Sequence, residues 1–356
     1  MTTLFDPIQI GALQLPNRIV MAPLTRLRAA RPVHVPNALM AQYYTQRASA
    51  GLIVSEGVPV SPDAVGYQNV PGLWADEQVE GWQIVTKAVH EAGGRIVAQL
   101  WHVGRISHPD LLDGRLPVAP SPIAAQGNVS LLRPQREFVV PRELNIEEIQ
   151  EVVAAFARGA ANAKAAGFDG VTIHAANGYL LDQFLQSSTN QRTDAYGGPI
   201  ENRARLLLEV TDAVTAVWGP GRVGVHLAPR SPSHSMADAN PAETFGYVAR
   251  ELGKREIGFL FVRETRGEGA LLADLKRQFG GVVIANDGFD LDAAQAALDD
   301  GSADAVSFGR LFISNPDLVE RLRQRAPLNE LNAATIYDPE HGSATGYTDY
   351  PLLSAS

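Results

Sequence analysis

The chain has 356 residues, a formal net charge of −9 and no cysteine. The absence of cysteine excludes disulfides, cysteine-ligated metals, iron–sulfur clusters and thiol nucleophiles. An acidic balance without a basic block argues against a nucleic-acid partner, because phosphates attract clustered Lys and Arg.

The first part of the chain shows no targeting pattern. Residues 1–7 lack a basic segment followed by an apolar stretch, and no run approaches the ~20 apolar residues of a membrane span. We therefore expect a cytoplasmic protein without membrane partners. Within residues 1–18, two short extended pieces flank Gly11 and Ala12 and predict a hairpin that caps one end of the fold.

Short apolar runs rich in Val and Ile predict eight strands. In chain order they are Arg18–Met21, Leu52–Ser55, Ile96–Leu100, Val171–His174, Val223–Leu227, Phe259–Val262, Val282–Ala285 and Ala305–Phe308. The runs are apolar throughout rather than alternating, which is typical of a parallel sheet covered on both faces.

Amphipathic or Ala-rich segments between these runs predict eight helices. In chain order they are Asn37–Ala50, Asp76–Ala92, Ile146–Ala166, Ile200–Trp218, Pro241–Lys254, Ala270–Phe279, Asp292–Asp300 and Pro316–Arg325. Several are followed by Gly, such as Gly93 and Gly167, which adopts the left-handed conformation past a helix end without a Cβ penalty.

This alternation predicts an α/β fold, a (β/α)8 TIM barrel, as one domain over residues 1–356. A doubly wound open sheet is disfavoured, because no Gly-x-Gly-x-x-Gly turn follows any predicted strand. Residues 101–144, after the third strand, are rich in Pro, Gly and Arg. We expect this insertion to lie over the active site, since loops of such length are usually functional.

In such a barrel the chemistry lies at the strand ends. His174 ends the fourth predicted strand, and Asn177 follows three residues later. The two side chains offer two donors to one oxygen, which would polarise a carbonyl or nitro group. Alternatively, His174 only ends the strand and Asn177 caps the turn, and spacing alone leaves both interpretations open. The strand ends hold no set of metal ligands, so we expect no metal.

Two loops near the end of the chain favour a phosphorylated ligand. Gly288 follows the seventh predicted strand and Gly309 the eighth, and each lets backbone N–H groups approach a ligand closely. Barrels often build phosphate sites from these two loops and a short helix N-terminus. Arg310 would add a bidentate positive charge.

Long motifs, in the same order along almost the whole chain, resemble the Old Yellow Enzyme family of flavin-dependent ene-reductases. The segments are Asn17–Arg26, Gln99–Arg105, His174–Phe184, Tyr196–Arg203, Phe308–Leu318 and Gly346–Pro351. The resemblance implies FMN, bound tightly and non-covalently at the top of the barrel, and NAD(P)H as the reductant.

The same resemblance implies the site residues. The cofactor-binding set is Pro23, Leu24, Thr25, Gly57, Gln99, His226, Asp287, Gly288, Phe308, Gly309 and Arg310. The catalytic set is His174, Asn177 and Tyr179, and the substrate-lining set is Tyr67, Trp101 and Tyr337. Thr25 would lie near flavin O4 and Gln99 at the pyrimidine edge.

The implied reaction is reduction of activated C=C bonds in enones, enals, maleimides and nitroalkenes. FMN N5 would deliver hydride, and Tyr179, with a reference pKa of about 10, would donate the proton. Reductive attack on nitro groups or nitrate esters at the same site is an alternative. Two other classes stay open: a phosphosugar lyase or isomerase using Glu56 or Glu264, and a non-catalytic flavin-binding protein. A monomer and a homodimer are both compatible with the sequence.

The chain departs from the family pattern in three places. His226 stands where the fifth strand usually ends in Arg, so we expect it to donate a hydrogen bond but to hold reduced FMN less firmly. Arg230 or Arg263 would then supply the missing charge. Asp287 lies in the phosphate loop, and we expect it to point away from the phosphate or cap the next helix. Residues 336–339 replace a Tyr-Gly-Gly stretch but retain Tyr337.

Other residues receive simpler interpretations. Besides those three places, Gly57 stands where the family commonly has Ala, which predicts a little more room beside the flavin ring. Arg26, Arg28 and Arg31 form a short basic run, which predicts a solvated loop or cavity rim. His234, like other isolated histidines of the chain, is expected in a surface or loop role.

Overall fold

The structure is a computed structural model that describes residues 2–30, 32–337 and 342–353. Its strands are β1 (Ile8–Ile10), β2 (Leu13–Leu15), β3 (Ile19–Met21), β4 (Leu52–Pro59), β5 (Ile96–Trp101), β6 (Val118–Ala119), β7 (Arg142–Glu143), β8 (Gly170–Ala175), β9 (Val223–Leu227), β10 (Phe259–Arg263), β11 (Val283–Asn286) and β12 (Ala305–Phe308).

The helices lie mainly between consecutive barrel strands. They are α1 (Ala38–Thr45), α2 (Asp76–Glu91), α3 (Ile146–Ala165), α4 (Leu180–Leu185), α5 (Ile200–Trp218), α6 (Pro241–Lys254), α7 (Leu272–Phe279), α8 (Leu291–Asp299), α9 (Arg310–Ser314) and α10 (Leu318–Gln324). Within the described ranges, none of them combines the length and apolar character needed to cross a membrane.

Eight parallel strands close into a barrel in the order β3-β4-β5-β8-β9-β10-β11-β12, with β12 pairing back to β3. All eight predicted strands are present, and almost every residue in them is buried. Burial on both faces explains why the runs are apolar throughout. The predicted (β/α)8 barrel is confirmed.

Some predicted boundaries are wrong. The first helix ends at Thr45 rather than Ala50, because residues 46–50 form turns. The second barrel strand continues to Pro59, and its register against β5 shifts between Val54 and Gly57. The short helices α4 and α9 were not predicted, because each is too short to show a helical period.

The N-terminal hairpin closes the barrel end opposite the strand C-termini. β1 and β2 pair antiparallel around Gly11 and Ala12, as predicted. Ile10 and Leu15 are buried in one cluster with Val54 and Phe261 from the barrel interior. This apolar plug excludes water from the bottom of the barrel.

The segment between β5 and α3 contains the short pair β6–β7 and packs on aromatic residues near the rim. Val103, Ile106 and Leu112 of this segment share a buried cluster with Tyr67 and Trp101. Part of this segment therefore packs behind Tyr67 and Trp101, and the placement of residues 101–144 over the active site stays a prediction.

The prediction of a solvated basic run after β3 is wrong. Arg26 and Arg28 are completely buried, and Arg31 lies outside the described residues. Arg26 Nε and Arg28 Nη1 donate to the carbonyl oxygen of Ile336 at 2.7 and 3.0 Å, and Arg26 Nη2 donates to that of Gly346 at 2.7 Å. Backbone carbonyls of the C-terminal segment thus provide the partners that water provides at a surface.

Arg47, at the end of the first helical region, is also fully buried. Its guanidinium donates to the carbonyl oxygens of Phe312, Tyr43 and Ile313 at 2.7 to 2.8 Å. It lies 3.7 Å from the centroid of the Tyr43 ring, and that ring stacks on Tyr347 at 4.1 Å. A planar fork of donors links α1 to α9 and the C-terminal segment.

We predict that Arg47→Lys destabilises the protein by about 3 kcal/mol, because an ammonium group cannot satisfy carbonyls that the guanidinium fork reaches. Thermal unfolding followed by circular dichroism should show a midpoint about 4 °C lower. Arg277→Lys is the matched control, because Arg277 makes an exposed ion pair with Asp274. A midpoint for Arg47→Lys equal to that of the control would contradict the anchoring role.

Candidate active site

The carboxyl ends of the barrel strands surround two adjoining cavities of about 670 and 100 Å3. Both are lined by Pro23, Thr25, Asn177 and His226, so they form one continuous site. The large cavity runs along the ends of β3, β10, β11 and β12, and the small one lies at the ends of β5 and β8.

The structure brings the predicted site residues together at these cavities. The large cavity is lined by Pro23, Leu24, Thr25, Asn177, His226, Asp287, Gly288, Phe308, Gly309, Arg310 and Tyr337. The small cavity adds Gly57, Gln99, Trp101, His174 and Tyr179. Tyr67 lies behind the small cavity, where its hydroxyl is 2.9 Å from the Tyr179 hydroxyl. The roles given to these residues stay predictions.

His226 and His174 are paired residues of the adjacent strands β9 and β8, and their rings stack at 4.9 Å. Gln99 Nε2 lies 3.0 Å from His226 Nδ1 and donates to it, so the neutral ring carries its proton on Nε2. That buried Nε2 has no hydrogen-bond partner among the described residues. Burial, aided by nearby His174 and Arg263, lowers the pKa of His226 well below its usual range.

His174 is buried, and its Nδ1 also has no partner in the described part of the chain. Burial lowers the pKa of His174 to about 3, and the positive charge of Arg263 contributes. The ring is therefore neutral at physiological pH and presents an imidazole rather than an imidazolium. Trp101 lies against it with a centroid distance of 6.1 Å.

Asn177 follows β8 in the left-handed region, with φ of +57°, and Gly178 follows at +81°. This turn projects the carboxamide over the rim. Arg263 Nη1 donates to Asn177 Oδ1 at 2.8 Å, which leaves the Nδ2 donors toward other partners. The backbone carbonyl of Asn177 accepts from His234 Nδ1 at 2.6 Å. Asn177 is therefore held from both its side chain and its main chain.

Tyr179 is buried between aromatic neighbours. Trp101 meets its ring edge to face at 4.9 Å, and the ring of His234 lies 5.2 Å away. Burial, with the adjacent Tyr67 hydroxyl, raises the pKa of Tyr179 well above its usual range. Burial also raises the pKa of Tyr67 to about 12. Both phenols stay protonated at neutral pH.

Gly57 makes room for Trp101, and the additional room beside a flavin ring stays a prediction. A Cβ at this position would lie 2.5 Å from Cε3 of Trp101, so the indole fills the space that the glycine provides. Trp101 in turn stacks on Tyr67 with a centroid distance of 5.5 Å. The glycine therefore sets the position of the central aromatic residue of the site.

The opposite end of the large cavity has the features of a phosphate site. Gly288 has φ of +74°, and a Cβ there would meet no atom within 4 Å. Gly309 precedes α9, whose first residue is Arg310. Within the described ranges, the exposed Arg310 side chain makes no hydrogen bond or ion pair, so its charge is available to a ligand. The first N–H groups of any helix also lack intrahelical partners.

Asp287 does not cap the next helix, because Asp290 does so by accepting from the N–H of Ala293. Instead, Asp287 Oδ2 lies 3.4 Å from Arg263 Nη2. Arg230, the other arginine considered for the missing charge, pairs with Glu264 at 2.5 Å and does not line the cavities. Of these two arginines, Arg263 is the one that lines the large cavity.

Sequence reasoning missed two contacts around these residues. The sequence predicts only a surface or loop role for His234, yet its ring hydrogen-bonds to the backbone carbonyl of Asn177. The sequence offers Arg263 as a source of positive charge but does not indicate its contact with Asn177. The only sequence signal for Arg263 was its place at the end of a predicted strand.

The residues present fit FMN. The large cavity lies in the size range of small-molecule sites. Arg310 and the open backbone at Gly288 suit a phosphate, and the unpartnered Nε2 donor of His226 suits an acceptor of the ring. Pro23 and Thr25 line both cavities and would contact the ring between these ends.

The two strand-end carboxylates of the alternative lyase interpretation are engaged elsewhere. Glu56 accepts from the hydroxyl of Tyr44 at 3.3 Å and from the N–H of Arg26 at 3.3 Å, and it does not line the cavities. Glu264 binds Arg230 and the N–H groups of Leu271 and Leu272. These carboxylates support loops rather than face a ligand.

Comparisons with known proteins agree with this geometry. Residues 3–329 match the model of the NADH:flavin oxidoreductase / NADH oxidase family. The flavin oxidoreductase hxnT of Emericella nidulans is 43% identical, with 98% of this chain and 97% of that protein covered. The 12-oxophytodienoate reductase 1 of Oryza sativa subsp. japonica is 40% identical, covering 98% of this chain and 93% of that protein.

Solved structures give the same result. Morphinone reductase in complex with tetrahydroNAD has a TM-score of 0.94 and 48% identity, covering 99% of this chain and 98% of that one. The old yellow enzyme homologue from Zymomonas mobilis has a TM-score of 0.95 and 45% identity, covering 99% and 100%. The predicted Old Yellow Enzyme resemblance, FMN, NAD(P)H and the ene-reductase class are confirmed. The chain belongs to the NADH:flavin oxidoreductase / NADH oxidase family and is an FMN-dependent NAD(P)H oxidoreductase.

Proposed function

We propose that this enzyme reduces small activated alkenes whose double bond is conjugated to a carbonyl or nitro group. One observation carries the proposal: neutral His174, the carboxamide of Asn177 and the protonated phenol of Tyr179 line the same small cavity. Two donors for one oxygen and an acid for one carbon are the groups that this reduction requires of a protein.

When bound, FMN would supply the redox chemistry, which is the transfer of two electrons from NAD(P)H to the alkene. Arg310 and the backbone at Gly288 and Gly309 would hold its phosphate. Gln99 and His226 would contact the ring, and Pro23 and Thr25 would pack along it.

His174 and Asn177 bind and orient the substrate. Negative charge grows on the activating oxygen as the double bond is reduced, and a donor fixed in place beforehand stabilises this charge without reorganising. Asn177 is fixed by Arg263 and His234, and the ring of His174 is fixed by Trp101 and His226. Exclusion of water from this buried cavity strengthens both hydrogen bonds.

Tyr179 holds the proton for the α-carbon. Tyr67 contacts its hydroxyl at 2.9 Å and so orients the phenol. Trp101 fixes the ring edge to face, and Gly57 allows Trp101 to approach.

The relatives named above are reductases of 12-oxophytodienoate and of morphinone. We propose enones, enals, maleimides and nitroalkenes as the substrate class here. The cytoplasmic location and the monomeric or homodimeric state stay predictions.

The proposal is tested by anaerobic absorbance spectroscopy of the purified yellow protein. We expect NADPH or NADH to bleach the flavin band and cyclohexenone to restore it. A band that NAD(P)H bleaches but cyclohexenone leaves bleached would contradict alkene reduction. A band that no nicotinamide bleaches would indicate a flavin-binding protein without this activity.

We predict that Tyr179→Phe slows reoxidation by cyclohexenone by about 10²-fold or more, because the general acid is lost. Reduction of the flavin by NADPH should be unchanged, since Tyr179 has no proton to give in that half-reaction. Stopped-flow absorbance measures both steps separately. Tyr67→Phe is the control that keeps the phenol at position 179, and it should have the smaller effect. An unchanged reoxidation rate in Tyr179→Phe would contradict the role of Tyr179 as the general acid.

The pKa shifts predict that reoxidation by cyclohexenone has a flat pH profile between pH 5 and 9. His174, with its pKa lowered to about 3, stays neutral as the pH falls to 5, and Tyr179, with its pKa raised, stays protonated as the pH rises to 9. Single-turnover stopped-flow rates across this range provide the measurement. A change in the reoxidation rate with a midpoint near the ordinary histidine pKa of about 6.5 would contradict the neutral state of His174.

We predict that Arg310→Ala weakens FMN binding by about 10- to 100-fold, the effect of losing a charge-assisted hydrogen bond of about 1.5–3 kcal/mol. Quenching of flavin fluorescence on titration of the apoprotein measures the dissociation constant. Arg277→Ala, at an exposed position on α7, is the control. Equal affinities for the two variants would place the phosphate elsewhere.

A further inference from the structure

Arg263 occupies an unusual position at the rim. It is the last residue of β10, where it pairs with Asn286 of β11, and its side chain reaches across β9 to Asn177, which follows β8. One end of its guanidinium is 2.8 Å from Asn177 Oδ1, and the other is 3.4 Å from Asp287 Oδ2. The side chain therefore spans the mouth of the barrel from the substrate-oxygen site to the loop after β11.

Both partners of Arg263 have positive φ angles. Asn177 has φ of +57° and Asp287 has φ of +88°. Such conformations cost free energy in residues other than glycine and persist only where surrounding contacts fix them. Because one arginine contacts both residues, it links the loop that carries the substrate-oxygen donor to the loop that carries Gly288 of the phosphate site.

The positive charge of Arg263 also acts on both histidines of the pair. His174 and His226 are neutral, and the charge of Arg263 itself disfavours their protonation. Arg263 and Arg310 are the two arginines that line the large cavity within the described ranges, and Arg310 belongs to the phosphate end. Asp287 is the acidic side chain that lines the cavity within those ranges, and it offsets part of the charge of Arg263.

We propose that Arg263 is a positioning and charge-supplying residue of this site: it orients the Asn177 carboxamide toward the substrate oxygen and provides the fixed positive charge that neutral His226 lacks. This inference rests on the proposed function for the role of Asn177, but its charge effect on FMN does not require a substrate. Asp287 moderates the effect.

Two consequences follow from the geometry. An arginine that donates to Asn177 Oδ1 directs Nδ2 away from itself, and its charge polarises the amide and strengthens the Nδ2 donors. A fixed positive charge at the cavity also favours the more negatively charged, reduced state of a bound flavin over the oxidised state. Loss of Arg263 should therefore lower the reduction potential and, separately, weaken substrate binding.

The test measures the two-electron reduction potential of the FMN-loaded enzyme by anaerobic equilibration with a reference dye. For Arg263→Gln we expect a fall of at least about 30 mV, which is a tenfold change in the reduction equilibrium. Arg230→Gln is the matched control, because it removes the same charge at the same rim from a side chain paired with Glu264. Its potential should equal that of the parent enzyme.

Further variants separate charge from positioning. Arg263→Lys keeps the charge but not the planar fork, so we expect a nearly unchanged potential and a KM for cyclohexenone raised about tenfold. Asp287→Asn removes the opposing carboxylate and should raise the potential. His226→Arg combined with Arg263→Gln should restore the potential but not the KM. If Arg263→Gln does not retain FMN, the Arg263→Lys and Asp287→Asn variants test the two roles of Arg263.

A potential that is the same in the parent, Arg263→Gln and Asp287→Asn enzymes would overturn the charge role, and an unchanged KM in Arg263→Lys would overturn the positioning role. These outcomes differ from failure of the proposed function, in which the parent enzyme itself would not be reoxidised by cyclohexenone. Equilibration with the reference dye measures the flavin reduction potential whether or not the enzyme reduces cyclohexenone.

Discussion

Side chains from neighbouring strands lose water as they meet at the carboxyl end of the barrel, and each buried polar atom left without a partner costs about 1–3 kcal/mol. The register of β8 against β9 places His174 beside His226, and Gln99 satisfies one nitrogen of His226. Buried nitrogens of both histidines remain unpartnered among the described residues. A ligand that forms hydrogen bonds with these nitrogens removes this cost, so the same desolvation that makes both rings neutral also prepares the site for a ligand.

A second set of buried groups fixes one wall of the site without lining the cavities. Arg26 and Arg28 bind the carbonyl oxygen of Ile336, the residue immediately before Tyr337, which lines the large cavity. Arg47 joins the same stack of arginine and tyrosine side chains. Because these guanidinium groups satisfy backbone carbonyls that would otherwise be buried unpaired, the C-terminal segment is fixed against the loop after β3. The site thus depends on contacts made between the two ends of the chain.

The barrel was predictable because its strands are short apolar runs separated by amphipathic helices, a pattern that local sequence carries. The site residues were predictable because they follow strand ends or belong to the motifs of the Old Yellow Enzyme resemblance. The interactions of Arg26 and Arg263 were not predictable from the sequence. Arg26 has the local context of a solvated loop, and its carbonyl partners lie 310 and 320 residues later. Arg263 reaches Asn177 across an intervening strand, 86 residues away.

The space at Gly57 illustrates the same limit, since a missing side chain predicts room but does not reveal that Trp101 fills it.

The central claim is that this cavity joins a hydrogen donor on one side of the double bond to the Tyr179 proton on the other. Product analysis by NMR after reduction of 2-methylcyclohexenone with deuterated NADPH, and separately in D2O, tests it most directly. We expect deuterium from the reductant at the β-carbon and deuterium from solvent at the α-carbon. Solvent deuterium at the β-carbon, or reduction of the carbonyl instead of the alkene, would contradict the claim.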